Sequence, residues 1–142
     1  MSTILVASDI ESVRREVGSV LESPDTDLVY VGSGTDVVGI VTEQEIDLVI
    51  ADMQIGSMGG VAVCLDLRLQ ASYDAIDVVP VLLLLDRRPD IFQARRSGAD
   101  GWIVKPLDAL RIRAGARALL NGERYEDDSY QPVPVLVTDQ NL

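Results

Sequence analysis

Short, continuously apolar runs alternate with longer amphipathic stretches over residues 3–120 of this chain. Apolar runs of this length are typical of β-strands buried on both faces, whereas the longer stretches repeat their apolar residues at helical spacing. Strands that alternate with helices favour a parallel sheet covered by helices on both sides. We therefore predict an α/β domain with a doubly wound, flavodoxin-like (βα)5 fold and a parallel five-stranded sheet.

The same pattern places each element along the chain. We predict strands at residues 3–7, 28–31, 48–51, 78–85 and 102–104. We predict helices at residues 9–22, 35–45, 90–97 and 107–120, and a third helix that follows the glycine-rich loop 56–60 and ends near Ser72. Asn121-Gly122 is typical of a helix stop, so the folded domain is predicted to span residues 1–121. Residues 122–142 mix prolines with β-branched residues and are predicted to form an extended or docking tail.

The composition excludes several classes of site. The chain has no histidine, which removes Ser-His-Asp and Cys-His nucleophilic sites and zinc fingers. Its single cysteine, Cys64, cannot form an internal disulfide and is predicted to be a small buried side chain. The net charge of −11 argues against binding to nucleic-acid phosphates, and no apolar run approaches the roughly 20 residues that span a bilayer. We therefore expect a cytoplasmic protein with no direct nucleic-acid contact and no membrane contact.

Charged side chains follow the predicted strands at their carboxyl ends, where doubly wound sheets bind ligands. Asp9 follows the first strand, Asp52 the third, Asp86 the fourth, and Lys105, the only lysine in the chain, the fifth. Neighbouring carboxylates repel each other and favour a hard divalent cation between them, for which Mg²⁺ is suited. The sequence thus predicts that Asp9, Asp52 and Lys105 meet at one edge of the sheet and can host a cation together with an anion.

Three segments resemble those of bacterial response-regulator receiver (CheY-like) domains of two-component signalling. They are ILVASD, which ends at Asp9, DLVIADMQIGSMGG, which contains Asp52, and GADGWIVKP, which contains Lys105. The three segments stand in the family's order and spacing, and the resemblance covers about residues 3–120. Because three segments match in register, the resemblance is more specific than any one of them alone.

The resemblance implies a role for each matching position. Asp52 would be the phosphoacceptor, Lys105 the phosphate-binding residue, and Mg²⁺ the cofactor held by Asp9, Asp52 and the main-chain carbonyl of Gln54. The peptide bond between Lys105 and Pro106 is commonly cis in the family. The chain would then be a phosphoprotein of a phosphorelay and not an enzyme. It would receive its phosphoryl group from a histidine kinase or phosphotransfer protein and signal to a downstream protein target.

Four positions depart from the family pattern. Ser8 stands where a second acid is usual, which should weaken metal binding, and Gly56 replaces a loop proline. Leu85 stands where a serine or threonine hydroxyl usually grips the phosphate, and its side chain can neither donate nor accept a hydrogen bond. The switch aromatic is Trp102 instead of tyrosine or phenylalanine, and its size predicts that it turns inward less easily. The usual coupling between hydroxyl and aromatic residue is therefore not expected.

Two other interpretations remain open. A degenerate receiver would act as a phosphorylation-independent interaction module, with Asp52 as a relic. Another flavodoxin-like binder or small enzyme is the third possibility, although the chain has no GxGxxG or Walker loop. The residues after Leu120 are too few for an output domain, so we expect a stand-alone regulator or a part of something longer.

Arginines cluster around the predicted fourth helix and continue on the last helix. Such a cluster is either a solvated face or a docking surface, and the second interpretation predicts a homodimer through the fourth and fifth helices. The residues concerned are Arg87, Arg88, Arg95, Arg96, Arg111, Arg113 and Arg117.

Overall fold

Strands and helices alternate along residues 1–129, the part of the chain that this computed structural model describes. The strands are β1 Ser2–Ala7, β2 Thr26–Val31, β3 Leu48–Asp52, β4 Val81–Leu85, β5 Gly101–Val104 and β6 Tyr125–Glu126. The helices are α1 Glu11–Leu21, α2 Val37–Glu43, α3 Gly60–Ser72, α4 Asp90–Arg96 and α5 Ala109–Leu120, and a short 3₁₀ turn over Gly34–Asp36 precedes α2.

The strands form one sheet in the order β2-β1-β3-β4-β5-β6, and each pair of neighbouring strands is parallel. The predicted α/β doubly wound fold is confirmed. The predicted count of five strands is corrected, because Tyr125 and Glu126 pair with Gly101 and Trp102 and add a short sixth strand. The strand order reverses at β1 and β3, so ligand-binding groups are expected beyond the carboxyl ends of these strands.

Apolar side chains cover the sheet on both faces. One core cluster joins the sheet to α1 and α5, and the other joins it to α2, α3 and α4. Every residue of β3 and β4 is buried, as the continuously apolar runs predicted. Cys64 of α3 is also fully buried, which confirms its prediction as a core side chain. None of the helices in residues 1–129 is long and apolar enough to cross a membrane.

Most element boundaries differ from the predictions by a few residues. The largest difference among the strands is β4, which begins at Val81 and not at residue 78. Pro80 has no backbone N–H to offer a neighbouring strand, and the Val78 side chain before it is exposed. The apolar run therefore predicted too long a strand, because an apolar residue need not take part in backbone pairing.

Strand β6 lies against the outer edge of β5, where side chains of two flanking helices hold it. Asp127, which is buried, accepts a hydrogen bond from the backbone N–H of Val104 at 2.9 Å and an ion-paired hydrogen bond from Arg111 of α5. Arg95 of α4 lies 3.8 Å from the carboxylate of Glu126. The segment predicted as an extended or docking tail thus packs on the sheet over residues 125–129, and residues 130–142 lie outside the described part of the chain.

Two glycines provide the space that this arrangement needs. A Cβ atom at Gly101 would lie 2.6 Å from the carbonyl oxygen of Tyr125, which is closer than real contacts allow. A Cβ atom at Gly115 of α5 would lie 3.3 Å from the Tyr125 ring. The close approach of β6 therefore depends on the absence of side chains at these two positions.

We expect the ion pair of Asp127 to make stability depend on pH in acid. Burial raises the pKa of Asp127, but hydrogen bonds from Val104, Ser129 and Arg111 outweigh it, so the pKa is lowered overall. A carboxyl group whose pKa is lower in the folded state stabilises the protein above its unfolded value of about 4. This stabilisation is lost as pH falls through the lower, folded value.

Urea unfolding of the wild type should therefore show a free energy of unfolding that declines between about pH 5 and pH 2. Asp127→Asn should be less stable than the wild type at pH 7 and show a shallower decline over the same range. Equal slopes in the two proteins would contradict this expectation.

Candidate functional site

Asp52 and Lys105 meet at the carboxyl edge of the sheet. Asp52 is the last residue of β3, and Lys105 follows directly after β5, where its backbone N–H donates to the carbonyl of Leu85 at 2.8 Å. The Lys105 ammonium lies 2.8 Å from Oδ1 of Asp52, whose side chain is 0% exposed. The peptide bond between Lys105 and Pro106 is cis, as the resemblance implied. The structure therefore brings together the proposed nucleophile and the proposed phosphate-binding cation.

The other oxygen of Asp52 is bound by Ser8, the residue at the position of the missing acid. The Ser8 hydroxyl donates to Oδ2 at 2.9 Å, and the bond is buried. The backbone N–H of Gln54 makes a longer contact of 3.3 Å with Oδ1. Both carboxylate oxygens thus have partners in this structure. Ser8 was noted in the sequence only as a departure, whereas here its hydroxyl is a direct partner of Asp52.

Asp9 lies at the same edge of the sheet but bonds to a different group. Its exposed carboxylate accepts a hydrogen bond from the backbone N–H of Gly56 at 3.1 Å, in the loop between β3 and α3. A Cβ atom at residue 56 would lie 3.0 Å from Oδ2 of Asp9, which is a tight contact. The glycine that stands in place of the family's loop proline therefore leaves room for the Asp9 carboxylate. Asp9 is therefore joined to the loop that follows Asp52.

The predicted Mg²⁺ ligands are all oxygen donors. Within residues 1–129, no cluster of three or more acidic or cysteine side chains is placed to hold a metal. Mg²⁺ needs only one or two carboxylates, since it keeps several waters, and Asp9, Asp52 and the Gln54 carbonyl meet that requirement in kind. The residues therefore fit Mg²⁺, with fewer carboxylates than a site that had an acid at residue 8.

Asp86 is a second carboxylate partner of Lys105. Its Oδ1 lies 3.0 Å from the Lys105 ammonium, and its side chain is 30% exposed. Burial lowers the pKa of Lys105, but the hydrogen bonds and charges of Asp52 and Asp86 outweigh it, so the pKa is raised overall. Sequence reasoning noted Asp86 at the end of the fourth strand without assigning it a role. The sequence did place Asp86 directly after Leu85, at the end of the strand that lies beside β5, and this position could have indicated a contact with Lys105.

The two predicted switch residues are both in the core. Leu85 and Trp102 are fully buried and belong to the same core cluster. The Trp102 ring points inward in this structure, and how easily it changes position stays a prediction. The cluster also contains the small side chains of Ala94 and Ala99, and the Arg95 guanidinium lies 5.5 Å from the ring centroid. The indole N–H has no hydrogen-bond partner among the described residues.

Two arginines of the predicted docking surface contact the chain's own C-terminal segment. Arg95 pairs with Glu126, and Arg111 pairs with Asp127. Part of the surface formed by α4 and α5 is therefore covered by residues 125–129. A homodimer through these helices stays a prediction.

The family model of the response regulator receiver domain matches residues 4–117. The chain belongs to this family. Receiver domains are signalling modules of two-component systems that interact with histidine kinases and downstream targets, and the family binds Mg²⁺ at its phosphorylation site. The match covers the carboxyl ends of β1, β3, β4 and β5, so Asp9, Asp52 and Lys105 lie within the receiver.

Two curated relatives extend beyond the receiver. The transcriptional regulatory protein AfsQ1 of Streptomyces coelicolor is 30% identical over 132 residues, which is 91% of this chain and 56% of the relative. The DNA-binding response regulator MtrA of Mycobacterium tuberculosis is 32% identical over 127 residues, which is 88% of this chain and 52% of the relative. The chain thus spans about half the length of these relatives. Its lack of direct nucleic-acid contact stays a prediction.

The fold agrees with a solved receiver structure. The chemotaxis response regulator CheY4 of Vibrio cholerae superposes with a TM-score of 0.73 at 21% identity. The match covers 84% of this chain and 98% of CheY4. At this identity the likeness supports the receiver fold alone.

Proposed function

We propose that this receiver domain accepts a phosphoryl group at Asp52 and passes the signal on through protein–protein contacts. The contact of 2.8 Å between Asp52 and Lys105 carries the proposal, because it pairs a nucleophile with a cation at the ligand-binding edge of the sheet. The cation is the only lysine of a chain that otherwise uses arginine. A lysine ammonium is a compact point charge, which suits a phosphate oxygen.

The transfer would proceed by nucleophilic attack of the Asp52 carboxylate on phosphorus. With a phosphohistidine donor on a histidine kinase or phosphotransfer protein, an O–P bond forms and the N–P bond breaks. The imidazole keeps the electron pair of the broken bond. With an acyl phosphate donor, the P–O bond breaks and the carboxylate leaves. Lys105 would stabilise the negative charge on the transferred oxygens.

Three groups would hold Mg²⁺ in this proposal: the carboxylates of Asp9 and Asp52 and the carbonyl of Gln54. When bound, Mg²⁺ supplies positive charge that neutralises the phosphoryl oxygens. Because residue 8 is a serine and not an acid, we expect phosphoryl transfer to need a higher Mg²⁺ concentration than in a receiver with a further acid at this position.

Asp52 must become accessible before it can react. Its side chain is 0% exposed, and its oxygens are bound by Lys105 and Ser8. The loop after β3 is tied down by the bond between Asp9 and Gly56 and by a bond of 3.1 Å from the Gly34 N–H to the Gly56 carbonyl. The proposal therefore includes an opening of this loop before phosphoryl transfer.

Incubation with acetyl phosphate and Mg²⁺, followed by intact-protein mass spectrometry, tests the proposal. We expect one phosphoryl group on the wild type and none on Asp52→Asn. Asp77→Asn removes the same charge from an exposed position before β4 and should behave like the wild type. No uptake by the wild type, or equal uptake by Asp52→Asn, would overturn the proposal.

A second candidate function is a phosphorylation-independent interaction module. It is favoured by Leu85, which is fully buried where the family has a hydroxyl, and by the partners that bind both oxygens of Asp52. In that case Asp52→Asn should retain full activity in the cell. Loss of activity in that variant would favour phosphoryl transfer instead.

The proposal also specifies partners and a location. A histidine kinase or phosphotransfer protein would be the donor, and a downstream protein would receive the signal through α4, β5 and α5. We propose that this exchange takes place in the cytoplasm and that residues 1–121 contain the receiver.

A further inference from the structure

Lys105 is shared between two carboxylates in this structure. Its ammonium donates to Oδ1 of Asp52 at 2.8 Å and to Oδ1 of Asp86 at 3.0 Å. An ammonium group has three hydrogens, so two of its donors are already in use. A phosphoryl group on Asp52 would need the same ammonium, because no other lysine exists in the chain.

The side chain of Asp90 holds the backbone of Asp86 in place. The N–H groups of Asp86 and Arg87 both donate to Oδ2 of Asp90, at 3.2 and 3.0 Å. Asp90 is buried at the start of α4 and fixes the turn that leads out of β4. The side chain of Asp86 is therefore presented to Lys105 by an ordered turn and not by a free loop.

The second oxygen of Asp86 has no partner. Oδ2 is a buried atom without a hydrogen bond among the described residues. Asp86 and Lys105 also line a cavity of about 320 Å³ together with Arg87 and Pro106. The carboxylate and the ammonium that it binds thus line the same cavity.

An incoming phosphoryl group would meet a like charge at this position. Phosphoryl oxygens at Asp52 would lie near the Asp86 carboxylate, since both groups would bind the same ammonium. Like charges at such distances oppose each other strongly when water is partly excluded. Asp86 therefore competes with the phosphoryl group for Lys105 and also repels it.

We propose that Asp86 is a positioning residue that holds Lys105 in a neutralised pair and thereby slows phosphoryl transfer to Asp52. The effect of Asp86 on the rate of transfer rests on the proposed function. The ion pair between Asp86 and Lys105 does not depend on that function. Removal of the Asp86 charge frees Lys105 for the phosphoryl oxygens and removes a repulsive charge.

The test compares Asp86→Asn with Asp77→Asn in the full chain. Both variants remove one carboxylate, but Asp77 lies at the opposite edge of the sheet, before β4. We expect Asp86→Asn to take up phosphate from acetyl phosphate at least about tenfold faster than the wild type at equal Mg²⁺. Asp77→Asn should match the wild type, and both variants should show a cooperative thermal unfolding transition.

A second measurement is independent of phosphorylation. Lys105 is the only lysine, so its reaction with a succinimidyl ester is read from a single peptide by mass spectrometry. We expect Asp86→Asn to react at least about threefold faster at Lys105 than Asp77→Asn, because one carboxylate that binds the ammonium is removed.

The two measurements separate the inference from the proposed function. An unchanged reaction at Lys105 in Asp86→Asn overturns the inference, whether or not Asp52 takes up phosphate. A faster reaction at Lys105 with an unchanged rate of phosphate uptake overturns the rate-setting role of Asp86. A faster reaction at Lys105 with no uptake by any variant supports the hold on Lys105 and overturns the proposed function.

Discussion

Replacement of Lys105 by methionine should lower the rate of phosphoryl uptake at Asp52 by about 10²–10³-fold. Methionine keeps much of the length of the side chain but carries no charge and no donor. The transferred oxygens would then lose the lysine that contacts Asp52 at 2.8 Å in the free protein. Removal of one preorganised donor from developing negative charge has an effect of this size in enzymes with an oxyanion hole.

A matched control separates this local effect from the change in net charge. Arg113→Met removes one positive charge from an exposed position on α5 and should leave the rate of uptake unchanged. Rates are measured from the time course of intact mass with acetyl phosphate and Mg²⁺. Thermal unfolding of each variant identifies a temperature at which all are folded, because Lys105→Met leaves the buried Asp52 without its cation. A rate within about twofold of Arg113→Met would contradict the role of Lys105, given the size expected for a lost donor.

Replacement of Arg111 by methionine should lower the free energy of unfolding by about 3–5 kcal/mol. Arg111 is 17% exposed and pairs with Asp127, which is 2% exposed. The same guanidinium donates to the carbonyls of Val104 and Pro106 and pairs with Asp108. Its removal leaves a buried carboxylate without a cation and takes one donor from each of two carbonyls, which is costly in a poorly solvated site.

The prediction is checked by urea unfolding followed by the fluorescence of the buried Trp102. Arg124→Met is the control, because Arg124 pairs with Glu126 at 3.5 Å where both side chains are about half exposed, and its one further bond is a long one of 3.3 Å to the carbonyl of Ala99. Its loss should change the free energy of unfolding by less than about 0.5 kcal/mol. The double variant Arg111→Met, Asp127→Asn should lose less than the sum of the single variants, because it leaves no unpaired charge. An equal loss in Arg111→Met and Arg124→Met would contradict the prediction.

The strands of the sheet could be predicted from the sequence because burial on both faces requires continuously apolar runs. Runs such as VLLLL over Val81–Leu85 are continuously apolar, and the structure buries every residue of that strand. The charged residues at the strand ends could be placed for the same reason, since a parallel sheet gathers its carboxyl ends at one edge. Asp52 and Lys105 lie in contact because β3 and β5, the strands on either side of β4, both end at that edge.

Other features could not be predicted because they depend on contacts between distant side chains. The sixth strand has only two residues, and neither periodicity nor propensity identifies so short an element. Its position depends on Asp127, which bonds to Val104 of β5 from a distant part of the sequence. Arg111 of α5 in turn pairs with Asp127. Trp102 is fully buried in a core cluster that draws its members from several strands and helices, which its own size did not reveal. Asp86 was visible in the sequence, but its choice of Lys105 as partner was not.

The outermost strand of the sheet is also the path by which the chain leaves the receiver. Residues 125–127 are hydrogen-bonded to the backbone of β5, the strand that carries Trp102 and leads into Lys105. The exit segment is therefore bonded to β5 itself as well as to side chains of α4 and α5. In this chain the strand that leads into Lys105 is thus a direct hydrogen-bonding neighbour of the last described residues.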